Sequence, residues 1–104
     1  MTKLVRSIRL NDLDYHPNRS PRTYSRPAGA AFRIHAFLEG GGSARVELLD
    51  AQGNVLHAAP VILPGEYRHE LSFGSAGARR VTLKASATNK HFSQDLHLDV
   101  AHPD

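Results

Sequence analysis

The sequence predicts an all-β protein, a seven-stranded antiparallel sandwich of two sheets, and three observations carry that expectation. Apolar residues recur at every second position in stretch after stretch, the period of a strand with one buried face. Clusters of glycine, proline and asparagine separate those stretches. No stretch has the three-and-four apolar spacing of an amphipathic helix. At 104 residues the chain is sized for a single domain, residues 1–104. A chain of that length buries about two-thirds of its unfolded surface, enough for one core without metals or disulfides.

Leu4, Ile8 and Leu10 set the first strand, with Arg6 interrupting the apolar row. Phe32, Ile34, Ala36 and Leu38 alternate against Arg33, His35 and Glu39 in the second, the clearest pattern in the chain. After the Gly40-Gly41-Gly42 turn, Ala44, Val46 and Leu48 alternate against Arg45 and Glu47. The stretch Asp50 to Asn54 holds the glycine and asparagine that a hairpin turn with positive φ requires. The fourth strand, Val55 to Leu63, contains Pro60, which cannot donate a ladder hydrogen bond and therefore belongs on an edge or at a bulge. Pro64-Gly65 turns the chain into a fifth strand, where Tyr67, His69, Leu71 and Phe73 share a face. A turn over Gly74 to Gly77 leads to Val81, Leu83, Ala85 and Ala87, and Leu96, Leu98 and Val100 form the last row.

The fold does not need the segment Tyr15 to Ala28, which is longer than ordinary connections in a compact domain. Pro17, Pro21 and Pro27 fix φ at three points and favour extended backbone before them, so the segment is a stiffened strip joining the first two strands or lying along a sheet edge. Arg19, Arg22 and Arg26 recur along it, with Tyr15 and Tyr24 as stacking rings. These five are the candidate partner-binding residues, because guanidinium groups and aromatic rings anchor recognition surfaces. A purely structural role competes with that expectation: the prolines guard a sheet edge and the tyrosines cap the core.

The stretch from Val46 through Asp50-Ala51-Gln52-Gly53 to Val55, with Leu63-Pro64-Gly65-Glu66-Tyr67, resembles bacterial immunoglobulin-like and fibronectin type III-like domains. In those domains a strand commonly ends in an Asp-x-x-Gly hairpin, and a Pro-Gly-x-Tyr sequence opens a later strand. The resemblance spans residues 32–100 and implies an immunoglobulin-like sandwich. It also implies the binding, adhesion, spacer or assembly roles that such sandwiches serve.

The net charge of +3 hides an asymmetry. Residues 1–35 carry seven basic and two acidic side chains, a net of +5, and the remainder carries −2. An acidic partner is expected for the basic part. Nucleic acid fits poorly: three arginines on about three phosphates give a salt slope of about −2.7, too shallow for tight binding. There is also no recognition helix and no aromatic-rich RNA-binding strand. An acidic protein surface needs only a few bidentate arginine contacts and some apolar area. The irregular Val55 to Leu63 strand offers a second edge to which a partner strand, or another copy of the chain, could add.

Other chemistries find less support. Asp95, His97 and Asp99 share the outer face of the last strand, where two neighbours could ligate an ion, but plain alternation explains their spacing. His69 sits on an apolar row as a core or rim residue, and His35 and His57 meet only if their strands are neighbours. Asp12 and Asp14 read as the polar end of the first strand, not as an acid/base pair. No nucleophile elbow, phosphate loop or His-Glu-x-x-His pair is present, so the chain is not expected to be an enzyme. A carbohydrate-binding face wants several planar aromatics together, whereas this chain has no tryptophan and its three tyrosines fall in different elements. No cofactor is expected, and no membrane: Met1 to Leu10 has neither a signal-peptide core nor a spanning run, which makes a cytoplasmic home the default unless the chain is a piece of a larger protein. The absence of cysteine removes disulfides, thiolate metal sites and cysteine nucleophiles.

Overall fold

The computed structural model describes residues 4–102. Seven long strands fall where the alternation expects them: β1 (Val5–Leu10), β4 (Phe32–Leu38), β5 (Ser43–Leu49), β6 (Val55–Ile62), β7 (Gly65–Leu71), β8 (Gly77–Ala87) and β9 (Lys90–Ala101). Two more strands, β2 (Leu13–Asp14) and β3 (Arg26–Pro27), raise the count among the described residues to nine, not the seven expected. Two residues cannot display a period, so neither short strand was legible. The protein is all-β with two sheets, ordered β2-β1-β4-β7 and β3-β9-β8-β5-β6, and the second curls into a half-barrel. Every pairing is antiparallel except β3 against β9. Among the described residues no helix is long and apolar enough to cross a membrane.

One core lies between the sheets. Phe32, Ile34, Ala36 and Leu38 from β4 face Val46 and Leu48 from β5, Val81, Leu83 and Ala85 from β8, and Leu96, Leu98 and Val100 from β9, all buried. Each larger side chain in that set stabilises the fold by about 1.5–3 kcal/mol through burial. β1 departs from strict alternation in an instructive way. Its register against β4 shifts between Val5 and Ser7, so Val5 and Ile8 are both buried while Arg6, the extra residue, is exposed. A bulge thus accommodates the arginine that breaks the apolar row.

Pro60 does place β6 on the edge of the second sheet, paired with β5 alone. The Leu63 N–H donates to the Gly42 carbonyl, so alternate pairs between β5 and β6 are hydrogen-bonded and the pair Arg45–Pro60 is not. The nitrogen of Pro60 therefore faces away from the sheet, where it deletes an outward donor from a strand that carries no charged residue and exposes Val55, Leu56 and Ile62. From β6 the chain crosses to the first sheet through Leu63-Pro64-Gly65, and a side chain at Gly65 would collide with the Ile62 carbonyl. Restoring the missing donor with Pro60→Thr is expected to let β6 pair with a second copy. Sedimentation or gel filtration across a range of concentrations should show dimers in the variant, and a monomer there would mean that the proline is not the guard.

Candidate functional site

The segment from Tyr15 to Ala28 is ordered, and its order begins with the residues before it. Leu10 pairs with Leu13 across a two-residue loop, Asn11 and Asp12, whose φ values of +55° and +68° are those of a type I′ hairpin turn. Asparagine and aspartate tolerate that left-handed backbone better than other side chains. The turn aims the Asn11 side chain inward, where it is the buried polar residue of the core. Its Nδ2 donates to the Tyr24 carbonyl at 2.7 Å, and its Oδ1 accepts from the Arg33 N–H at 2.9 Å. One amide thereby ties the end of β1 to β4 and to the basic segment.

Within the segment, Ser20 caps a 3₁₀ turn over Pro21–Tyr24: its carbonyl accepts from Thr23 N at 3.0 Å and its hydroxyl from Arg22 N at 3.4 Å. Proline at the first position suits a site whose N–H has no helical partner. The turn delivers the Tyr24 ring into the core, where only 1% of the residue is exposed. The Tyr24 hydroxyl donates to the Asp14 carbonyl at 2.8 Å and accepts from His16 N at 3.1 Å. Tyr15 lies 5.3 Å from Tyr24 between ring centroids, and its hydroxyl accepts from the His97 N–H of β9. After Tyr24, β3 adds to the edge of β9, and Ala28 N donates to the Ala101 carbonyl at 2.9 Å. The strip therefore spans from the edge of one sheet to the edge of the other.

The five candidate residues separate by this geometry. Tyr15 and Tyr24 cap the core from within, leaving the Tyr24 ring no face for a ligand. Arg19 and Arg22 are exposed, Arg19 resting a guanidinium nitrogen 3.3 Å from the Asp14 carbonyl. Arg26 is half-buried, with a buried Nε that has no hydrogen-bond partner among the described residues. The other arginines of the basic part are locally engaged: Arg6 faces Glu39 at 3.8 Å, Arg9 faces Asp14 at 3.4 Å, and Arg33 pairs with Asp12. Arg6 and Arg9 also lie over the Phe37 ring, 5.7 and 5.4 Å from its centre. Among the described residues Arg19, Arg22 and Arg26 have no acidic side-chain partner. Charge counting along the chain could not show that distinction, because Arg33 and Asp12 stand 21 positions apart.

The histidines sort by sheet. His35 and Glu66 pair on the outer face of the first sheet, where hydrogen bonds from His35 and Arg68 hold the Glu66 carboxyl below its usual range. His57 does not meet His35. It crosses instead to β7, where its Nδ1 and the Tyr67 hydroxyl share a hydrogen bond at 2.6 Å and its ring stacks on His69 with centroids 3.9 Å apart. Burial pushes the Tyr67 hydroxyl up to about 12, so it stays protonated. His69 lies on the inner row of β7 as expected, half-buried. Asp95, His97 and Asp99 do share an outer face, but Asp95 accepts from the Thr82 hydroxyl at 2.8 Å. No three histidine or acidic side chains converge on a metal position among the described residues. No protein family, curated protein or solved structure matches the chain.

Burial and the neighbouring His57 lower the pKa of His69, with Glu70 opposing them more weakly. A depressed histidine binds its proton more readily in the unfolded chain, so stability should be full above about pH 6.5 and fall as the pH drops below it. The melting temperature should be lower at pH 5.5 than at pH 7.5, and His69→Phe should shrink that difference. For the clamp, Asn11→Ala strands two buried partners and forces alanine into left-handed backbone. The expected loss is about 3 kcal/mol in a denaturant titration. Asn11→Gly loses the same two side-chain bonds but fits the left-handed backbone without strain, and should cost less than the alanine variant.

Proposed function

We propose that the chain is a non-enzymatic protein-interaction or assembly module, an immunoglobulin-like sandwich that offers Arg19, Arg22 and Arg26, with the adjoining edge of the second sheet, to an acidic surface on another protein. The observation that supports this most is the sorting of the arginines: among the described residues the three on the proline-stiffened strip lack an acidic side-chain partner, while Arg6, Arg9 and Arg33 have one. Tyr15, Tyr24 and Asn11 hold the strip in place, so little conformational freedom remains to be lost when a partner binds. Bidentate arginine–carboxylate contacts then supply both strength and geometry.

Capture of partners from a source lysate by the native chain should be compared with capture by Arg19→Ala/Arg22→Ala, both checked for folding by circular dichroism. Arg26→Ala belongs in a separate arm, because its half-buried side chain also packs. The double variant should bind at least about tenfold more weakly, and native binding should decline at high salt. Equal capture of the same partners by both chains would sink the proposal.

A further inference from the structure

β6 and β7 are the outermost strands of different sheets, so no backbone ladder joins them. They diverge from the Leu63-Pro64-Gly65 corner, and what holds them together changes along their length. Near the corner Val61, Leu63 and Tyr67 are buried in the core. Farther out the contact is between two half-buried imidazoles, His57 and His69, whose rings lie 10° from parallel with centroids 3.9 Å apart. Beyond His57, toward the start of β6, Val55 and Leu56 are exposed, and the pairing of β6 with β5 is irregular, its register shifting between Leu48 and Leu49. The histidine stack is thus the outermost fastener on this arm.

Neutral imidazoles stack as other flat rings do. Two imidazolium rings at the same separation repel, and half-burial weakens the screening that water would give. The surroundings offer little compensation. β5 sets Leu48 opposite His57, β4 sets Ile34 opposite His69, and the inner rows behind them, Val81 and Leu83 of β8 with Leu96 and Leu98 of β9, are apolar. β6 itself carries no Asp, Glu, Lys or Arg, and Tyr67 of β7 faces the pair as a neutral phenol. Toward solvent, His69 borders a depression lined by Arg9, Asp12, Arg33, His35, Arg68 and Glu70. Its arginines oppose a further positive charge, and Asp12 is paired with Arg33. Glu70 favours a proton on His69, but less than burial and His57 disfavour it.

We infer that the His57–His69 stack is an acid-released latch: when both rings carry a proton, the Val55 end of β6 parts from β7 and opens the gap between the sheets, while the rest of the core and the basic strip stay in place. Falling pH drives the change in that direction, because His69 takes its proton more readily outside the stack than within it. The parted form gains population below about pH 6.5, where unconstrained imidazoles charge. The opening lies on the side away from Arg19 and Arg22, and it follows whether or not those arginines bind a partner.

The test reads nuclear Overhauser contacts between side chains in the full chain at about pH 7.5 and about pH 4.5, on either side of the histidine range. The contact between the His57 and His69 rings should weaken at least about fivefold on acidification, whereas the contact between the Tyr15 and Tyr24 rings, 5.3 Å apart in the strip, should stay within about twofold. His69→Phe leaves one titrating ring on a neutral one, an attractive pair even when charged, so its contact between positions 57 and 69 should hold within about twofold at the lower pH. His57→Phe should behave the same way and serves if the first variant fails to fold. Should neither fold, the native chain decides alone. A histidine contact that persists at about pH 4.5 overturns the latch, as does its loss together with the Tyr15–Tyr24 contact, which would be unfolding of the whole domain. Equal loss in a folded phenylalanine variant overturns it too, since the repulsion of two charges would then not be the cause.

Discussion

Asn11 carries more of this structure than any other polar side chain. Its backbone sits in the left-handed region at the tip of the β1–β2 turn, its N–H donates to the Arg33 carbonyl, and its side chain bonds both the Arg33 N–H and the Tyr24 carbonyl. A buried amide costs free energy unless its donors and acceptors are met, so the site is stable only with β4 and the basic strip both in position. That condition makes Asn11 a specifier of geometry. The chain leaving β1 is committed to one path, and Tyr24 enters the core at one place because of it. Arg19 and Arg22 are consequently displayed from a surface whose backbone is fixed on either side.

The two open sides of the molecule are closed by different chemistry. On one, a strip of 14 residues bridges from β1 to β9, with tyrosine hydroxyls satisfying the Asp14 carbonyl and the His16 and His97 N–H groups. On the other, a tight Pro-Gly turn joins β6 directly to β7, and a histidine stack with a tyrosine hydroxyl fills the gap. The first closure is long and basic; the second is short and built on a histidine stack and a tyrosine hydroxyl, with Pro60 on the edge strand beside it. Among the described residues, arginines without an acidic side-chain partner lie on the first side.

Much of the fold was legible because seven strands are half-buried, and one buried face in an antiparallel sheet writes itself as alternation. The reading stopped where that cause stops. The first half of β9, Lys90 to Asp95, sets only half-buried Phe92 and Gln94 on its inner face, and a single apolar residue cannot display a period. The strip has no period either, which left Tyr15 and Tyr24 equally readable as ligand platforms and as core caps; only the hydrogen bonds of Tyr24 separate the two. The dipeptide Asn11-Asp12 was a usable signal for a type I′ turn that the polar-strand-end interpretation passed over. Pairings such as Arg33 with Asp12, or His57 with His69, depend on how strands are placed in space, and no local pattern encodes them.

The tyrosines have one more consequence. The chain has no tryptophan, and its three tyrosines are Tyr15 and Tyr24, which hold the strip, and Tyr67, which meets His57 across the other side. Every tyrosine is thus a hydrogen-bonded fastener at one of the two closures, and none is a bystander on the surface. The emission of the unlabelled protein is in effect an optical gauge of whether its two sides are shut.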